Sequence, residues 1–351
     1  MTPQTTTTRK LYIGIDIHKR SWKIQTATDI SWGKAFTAPP DADTLFSWVQ
    51  QHFPEHQVSC AYEAGCCGFE PARYFMEFGW HTIVFNPADI SRTGTSAIIK
   101  TDKIDARLIC KELKDQRLKS IHIPSRKREE LRALFRRRVA LVRDFRRIKS
   151  QIKMQLLYLG IEVPKEFDQP KWSHAFRDWI RSLKGYFSTG TLLFQSLMNQ
   201  YDFIDKELRG VSVQLRAYCR KHYKQDYYLL RSVPGIGGIV ACGILSELGD
   251  LRRFTSAKQL SAYVGFMPYI KQSGDHTHTF GISPRANHIM RSYFIEAAWQ
   301  AIRVDPVMQE YYRKHQGKNS KRIIVKIAHK LLNRTRAVIM TQTPYEIGVM
   351  E

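Results

Sequence analysis

The stretch "AIIKTDKIDARLI" (residues 97–109) sets Asp102 and Asp105 three positions apart among lysines. On a helix, residues i and i+3 share a face with Cβ atoms roughly 5–6 Å apart, so two carboxylates there repel unless a cation lies between them. Lys100, Lys103 and Arg107 supply that charge if the face is solvated, and a bound metal ion is the alternative. Two further acids bear on the choice. Asp16 ends the strand-like run in "KLYIGIDIH" and Glu63 ends the one in "VSCAYEAG". Both patterns bury the centre of a sheet, where a carboxylate is costly unless paired or metal-bound. If the two strands are neighbours and the helix of Asp102 and Asp105 packs beside them, four carboxylates converge. Such a cluster suits phosphoryl transfer, in which two divalent ions roughly 3.5–4 Å apart activate the attacking oxygen and stabilise the leaving one. Hard oxygen donors favour magnesium, with manganese as a substitute, over zinc.

A hydroxyl nucleophile is available far along the chain. Ser273 stands beside Gly274 in "YIKQSGDHTHTFGISPRANHIMR", on what reads as an exposed turn. Ser-Gly pairs are also ordinary turns, so the pair alone does not assign a role. Ser283, in "GIS", is the competing hydroxyl, but its place before Pro284 and a helical pattern reads as an N-cap.

The elements that must position these groups follow from periodicity. "KLYIGIDIH" and "WKIQTAT" read as a hairpin, "ADTLFSWVQQHF" and "PARYFMEFGW" as helices, and "VSCAYEAG" and "HTIVFN" as buried strands. That order fits a ribonuclease-H-like α/β domain better than a dinucleotide fold, because no G-x-G-x-x-G follows the first strand. Residues 126–160 read as one long basic helix. Leu131, Leu134, Leu141, Phe145, Ile148, Ile152 and Leu159 fall on a roughly seven-residue repeat, and arginines crowd the other faces. The seam suits either an intramolecular helix pair or a dimerising coiled coil. Arg136, Arg137, Arg143, Arg146 and Arg147 on this helix, and Arg285 and Arg291 further on, are candidates for phosphate contacts, which give affinity without reading sequence. "VPGIGGIVACGIL" resembles a helix–hairpin–helix element, and equally a tight turn between packed helices.

Composition agrees with a polyanionic partner. The formal net charge is +23 over 351 residues, more than solubility needs. No apolar run approaches the roughly 18 residues that span a bilayer, and "MTPQTTTTRK" lacks the apolar stretch of a signal peptide, so no membrane is expected and a cytoplasmic location is. The six cysteines show neither C-x-x-C pairs nor the Cys/His spacing of a zinc site.

Taken in order, "YIGIDIHK", "AYEAG", "KTDKIDARLI", a basic helical spacer, "LSELGDLRRFTSAKQLSAYVGFMP" and "SG" followed by "GISPRANHIMR" resemble the DEDD transposases of insertion sequences. These are relatives of the Piv DNA invertase and are described as bridge-RNA-guided recombinases. The resemblance runs along nearly the whole chain. It implies a RuvC-like domain of ribonuclease-H fold over residues 1–125, whose four acids match Asp16, Glu63, Asp102 and Asp105. It implies a helical coiled-coil spacer over 126–228, and over 229–351 a mainly helical transposase domain whose nucleophilic serine matches Ser273. It further implies a phosphoserine link to a DNA end, magnesium at the acidic cluster, an active site shared between protomers of a dimer or tetramer, and a structured guide RNA that pairs with donor and target DNA. Many relatives follow the serine with two glycines and a basic residue. Here Asp275 and His276 stand in their place, so a protonated His276 or His278 is the candidate replacement cation. The expected protein is a bacterial, nucleoid-associated recombinase that breaks and rejoins donor and target DNA duplexes without a nucleotide triphosphate, consistent with the lack of a P-loop motif. The alternatives are a RuvC-like endonuclease attacking with metal-activated water, and an architectural binder that needs neither the acids nor the serine.

Overall fold

Strand β1 (Lys10–Ile17) alternates strictly between two destinations. Leu11, Ile13 and Ile15 are wholly buried on one face, while Tyr12 and Gly14 meet a helix on the other. The computed structural model describes residues 9–90, 102–167, 169, 172–184, 188–273, 276–283, 286–317 and 319–348, with the backbone alone over 102–104, 269–273 and 276–280. The chain divides into two compact units, residues 1–123 and 124–351.

In the first unit β1 is followed by β2 (Trp22–Thr28), β3 (Phe36–Ala38), α1 (Ala42–His52), β4 (Gln57–Glu63), α2 (Glu70–Glu77), β5 (His81–Phe85) and α3 (Asp102–Lys114). The five-stranded sheet has the order β3-β2-β1-β4-β5. The pairs β1–β2 and β2–β3 are antiparallel, and β1–β4 and β4–β5 are parallel. The hairpin, both buried strands and both helices expected from periodicity are present. β3 is the addition: three residues are too few to write an alternating pattern. One sheet face, with Val58, Cys60 and Tyr62 beside the β1 leucine and isoleucines, packs on Leu45, Val49, Ala72 and Phe75 of α1 and α2. Each valine, leucine, isoleucine or phenylalanine among them contributes about 1.5–3 kcal/mol when fully buried. The other face receives α3 through Ile109, Cys110 and Leu113. Residues 91–101, just before Asp102, lie outside the described residues.

The second unit contains α4 (Arg126–Tyr158), α5 (His174–Ser182), α6 (Ser188–His222), α7 (Lys224–Ser232), α8 (Gly238–Gly243), a π-helical turn (Ile244–Leu248), α9 (Ala257–Val264), β6 (Pro268–Ser273), β7 (His276–Ile282), α10 (His288–Val304), α11 (Pro306–Lys314) and α12 (Ser320–Thr341). α4 begins at the Ser125 N-cap, whose side chain accepts from the Arg128 N–H. Its apolar seam is filled from within the same chain: Leu141, Ile148, Ile152 and Leu156 share a core with Trp172, Phe176 of α5, and Phe194, Met198, Tyr201 and Ile204 of α6. Leu156, not Leu159, closes the seam, and Leu159 caps the helix half-exposed. A straight helix drifts against a seven-residue repeat, which displaces the last position of the expected register.

The first turns of α4 belong to a different core. Leu131 and Phe135 pack with Leu215 and Cys219 of α6 into the large cluster built by α7 to α12. The expected boundary between residues 228 and 229 therefore falls inside α7, and spacer and C-terminal residues cluster as one unit. In the glycine-rich turn, Gly235 has φ +82°, and a Cβ there would sit 2.2 Å from the Ala297 carbonyl oxygen of α10. Close packing against α10 accounts for that turn. Among the described residues, no helix is long and apolar enough to cross a membrane.

Candidate active site

The acids of the first unit are brought together by register. β1 and β4 pair in parallel up to Ile15 and Tyr62, so Asp16 and Glu63 are the next residue on each strand. They stand side by side at the strand ends, on the face opposite Ile15 and Tyr62. α3 covers that same face. A Cβ on Gly14 would lie 2.3 Å from the Cys110 nitrogen and 2.4 Å from the Ala106 oxygen, so the helix backbone rests directly on the strand backbone. Near the start of the strand, Cys110 Sγ lies 3.5 Å from the Tyr12 carbonyl oxygen, and Lys114 Nζ donates at 2.8 Å to the Thr28 oxygen. Thr28 is opposite Leu11. The helix thus points its C-terminus at Leu11 and its N-terminus toward Asp16, which puts Asp105 and the backbone of Asp102 at the acidic end of the sheet. An acid in the first helical turn also faces the positive end of the helix dipole.

Asp16 Oδ2 lies 3.2 Å from His18 Nε2, and the Asp16 side chain is only 17% exposed. His18 was not singled out from sequence, although its position two residues beyond Asp16, on the same side of an extended chain, was the available signal. Among the described residues, no group of three or more His, Cys, Asp or Glu side chains is gathered to hold a metal ion. The side chain of Asp102 lies outside that description. Away from the acids the sheet is dry: burial pushes the Cys110 thiol, under α3, and the Cys60 thiol, on the other face, up to about 12. Burial likewise raises the hydroxyls of Tyr12 and Tyr62.

Ser273 belongs to the second unit, where it is the last residue of β6. It pairs with His276 across the connection to β7, and Lys271 pairs with His278. The sequence reading placed this serine on a turn; the structure adds a two-stranded ribbon that carries it to the tip. Gly274, Asp275 and Arg285 lie outside the described residues.

The ribbon is fixed at its root. Ser283 N–H donates to the Met267 oxygen at 3.0 Å, and Arg291 donates to the Ser283 oxygen at 2.8 Å and the Gly265 oxygen at 3.3 Å, one on each leg. Asn287, not Ser283, is the N-cap of α10: its Oδ1 accepts from Met290 N–H at 3.0 Å. Ser283 stands too far from the first helical turn to cap it. Asn287 also donates at 3.0 Å to Glu247, a wholly buried carboxylate in the π-helical turn that accepts both ends of the Arg136 guanidinium at 2.7 and 3.0 Å. Arg128 and Arg132, two turns and one turn earlier on α4, donate to the carbonyls of Leu245 and Ser246. Arg136, although exposed, and Arg291 are therefore already engaged by the fold, and Arg147 is paired with Asp144 at 3.1 Å. Arg137, Arg143 and Arg146 are exposed.

Two family models match the chain without overlap. Residues 13–159 match a DEDD transposase model of the IS110 type, and residues 227–313 match the transposase model of the IS116/IS110/IS902 family. A pilin gene-inverting protein of Moraxella lacunata is 25% identical over 353 residues, covering 97% of this chain and 99% of its own length. The transposase of insertion sequence element IS1111A from Coxiella burnetii is 23% identical over 302 residues, covering 83% of this chain and 78% of its own. The putative transposase y4qE of Sinorhizobium fredii is 25% identical over 300 residues, covering 83% and 72%. With the first match spanning the acidic strands and α3, and the second beginning in α7 and spanning the ribbon, the chain belongs to the IS110-type DEDD transposases, which are DNA-processing enzymes.

Proposed function

We propose that the chain moves an insertion sequence by transesterification through Ser273, with the acidic end of the first unit as the second half of the active site. The observation that carries this reading is the pairing register that sets Asp16 beside Glu63 under the N-terminal end of α3. The strand order, antiparallel hairpin first and parallel strands after, supports a RuvC-like ribonuclease-H fold for residues 1–125. Asp16, Glu63, Asp102 and Asp105 form an all-oxygen donor set suited to magnesium, with manganese as a substitute, and the set needs Asp102 to be complete. When bound, such an ion supplies positive charge to the phosphate oxygens.

The residues of the chain do the rest. The Ser273 hydroxyl gives up its proton as Oγ attacks phosphorus; the Oγ–P bond forms, the P–O bond to the departing strand breaks, and that strand leaves as a hydroxyl. In the second step the hydroxyl of the incoming strand attacks the phosphoserine and Ser273 recovers its proton. Every phosphodiester broken is remade, so no nucleotide triphosphate is consumed. A protonated His276, whose backbone pairs with that of Ser273, or His278 supplies the charge near the attacked phosphate. Donor and target DNA duplexes are the substrates. A structured guide RNA reads them by base pairing, which leaves the protein to grip backbone and shape. The resemblance supports an assembly of two or four copies with sites shared between protomers.

Purified protein, magnesium, RNA transcribed from the flanks of its own coding region, and labelled donor and target duplexes test this. Wild type should give a protein–DNA adduct that survives denaturation. Ser273→Ala and Asp102→Ala should each abolish it, by at least about a thousandfold for loss of a nucleophile. Hydrolysed ends from the Ser273→Ala protein would establish attack by water and sink the serine mechanism.

A further inference from the structure

Between α4 and α10 the second unit has a cavity of about 560 Å³ whose lining carries Arg138, Arg143, Arg146 and His288, with Glu296 as its acid. We propose that it is a docking groove for a single sugar-phosphate backbone. The proposal rests on the reading of the chain as a nucleic-acid enzyme for the identity of the ligand, and on the groove itself for the site.

Three observations converge there. Arg138 is a half-buried guanidinium pinned by neutral partners, donating at 2.9 Å to Ser212 Oγ and at 2.9 Å to the Tyr293 hydroxyl. Among the described residues it has no carboxylate within ion-pair distance, so its positive charge is fixed in place and uncompensated. A preorganised cation of this kind favours an incoming anion without the entropy of freezing a side chain. Arg143 and Arg146 are exposed on the same wall and, among the described residues, have neither an ion pair nor a hydrogen bond. They are free to close on an anion, unlike Arg136, Arg147 and Arg291, which the fold already engages.

The third observation fixes a proton. Arg291 is a donor only, and its Nη2 lies 2.7 Å from His288 Nδ1. Nδ1 must accept, so the neutral ring carries its hydrogen on Nε2 and His288 is a donor to the groove. A phosphodiester offers acceptor oxygens and one negative charge per residue, matching a wall of donors and cations. Arg291 joins this wall to the ribbon root, since the same guanidinium holds Ser283 and Gly265. A strand lying in the groove therefore rests on the helix that anchors the Ser273 ribbon.

The test uses the full chain in anisotropy titrations over a salt series, with a labelled DNA duplex and a labelled RNA stem-loop as separate probes. Arg143→Glu/Arg146→Glu should weaken binding at least about tenfold and make the log–log salt slope shallower by about 2, as expected when two phosphate contacts are lost. Glu296→Lys should tighten binding. Arg313→Glu/Lys314→Glu, the same charge change on α11, should alter neither the slope nor the affinity by a comparable amount. Both arginines are exposed, and thermal melting confirms that the variant is folded. Loss confined to the RNA probe assigns the groove to the guide, loss confined to the duplex assigns it to DNA, and loss of both assigns it to any backbone. An equal loss in the α11 control, or an unchanged slope, overturns the proposal. Adduct formation by wild type with no shift in the groove variants removes the groove and leaves the reaction; the shift without any adduct does the reverse.

Discussion

Gly14 has no side chain, and that sets how near α3 comes to β1. Any Cβ at this position meets the backbone of Ala106 and Cys110, which cannot turn aside as a side chain would. Gly14→Ala should lift the N-terminal part of α3 off the sheet, cost about 1–3 kcal/mol as overpacked cores do, and separate Asp105 from Asp16 and Glu63. A lower melting temperature together with loss of the adduct is the expected result; an unchanged melt would show that the contact is slack. At this scale the placement of Asp16 and Glu63 at the ends of two neighbouring strands was legible, because alternation by two decides both burial and face, and the acids interrupt it visibly. The structural reason for Gly14 was not legible, since it depends on a helix that begins almost ninety residues later. His18 was missed for a related reason: a histidine after a strand has no periodic role until the chain around it is known to stay extended.

Elements explain how a short ribbon holds still. β6 and β7 form a sheet of two strands, an arrangement that is marginal by itself in water. Here Arg291 ties both legs, and the Glu247–Asn287 bond fixes the start of the next helix. Arg291→Lys replaces a planar fork by a point charge that cannot serve two carbonyls and an imidazole together. The variant should lose about tenfold to a hundredfold in adduct formation, in line with a small misplacement of a reacting group, with little change in the overall melt and new protease cleavage over residues 267–283. Full activity would show that the ribbon is held elsewhere. The ribbon itself escaped the sequence reading because "YIKQSGDHTHTF" lacks the apolar alternation of a half-buried strand; its signal was the Gly-Asp pair between two β-prone runs. The long helix was legible throughout, from its arginines and its seam, but the partner of that seam was not: α6 carries a matching stripe that only packing distinguishes from a second copy of the chain.

The whole molecule has a charge suited to polyanions, and its C-terminal core holds a histidine whose protonation burial disfavours. His329 of α12 shares a 2.7 Å hydrogen bond with the buried Ser261 of α9. Burial, then the neighbouring Lys330, holds its pKa below the ordinary 6.5. A depressed value means that the unfolded chain takes up the proton first. The stability that depends on the neutral ring is therefore present above about pH 6.5 and lost as pH falls through the folded value. The melting temperature should fall between about pH 7 and about pH 5, and His329→Asn, which cannot be protonated in that range, should show a flatter profile. Equal slopes for the two proteins would exclude the ring as the cause. The chain divides after residue 123, close to where alternating strands give way to a basic helix, whereas the glycine-rich text that begins near residue 230 marks no division, because a single helix runs through residue 228.

That basic helix has a mechanical consequence. α4 has 33 residues, which at 1.5 Å each make a beam about 50 Å long. Its first turns are set in one core and its last in another, so it cannot bend at one without loading the other. A tilt of about 10° at the root swings the far end by about 9 Å over that length. Whatever is gripped at the tip reaches the Glu247 turn at the root as torque, through the arginines at 128, 132 and 136 that bolt the two together.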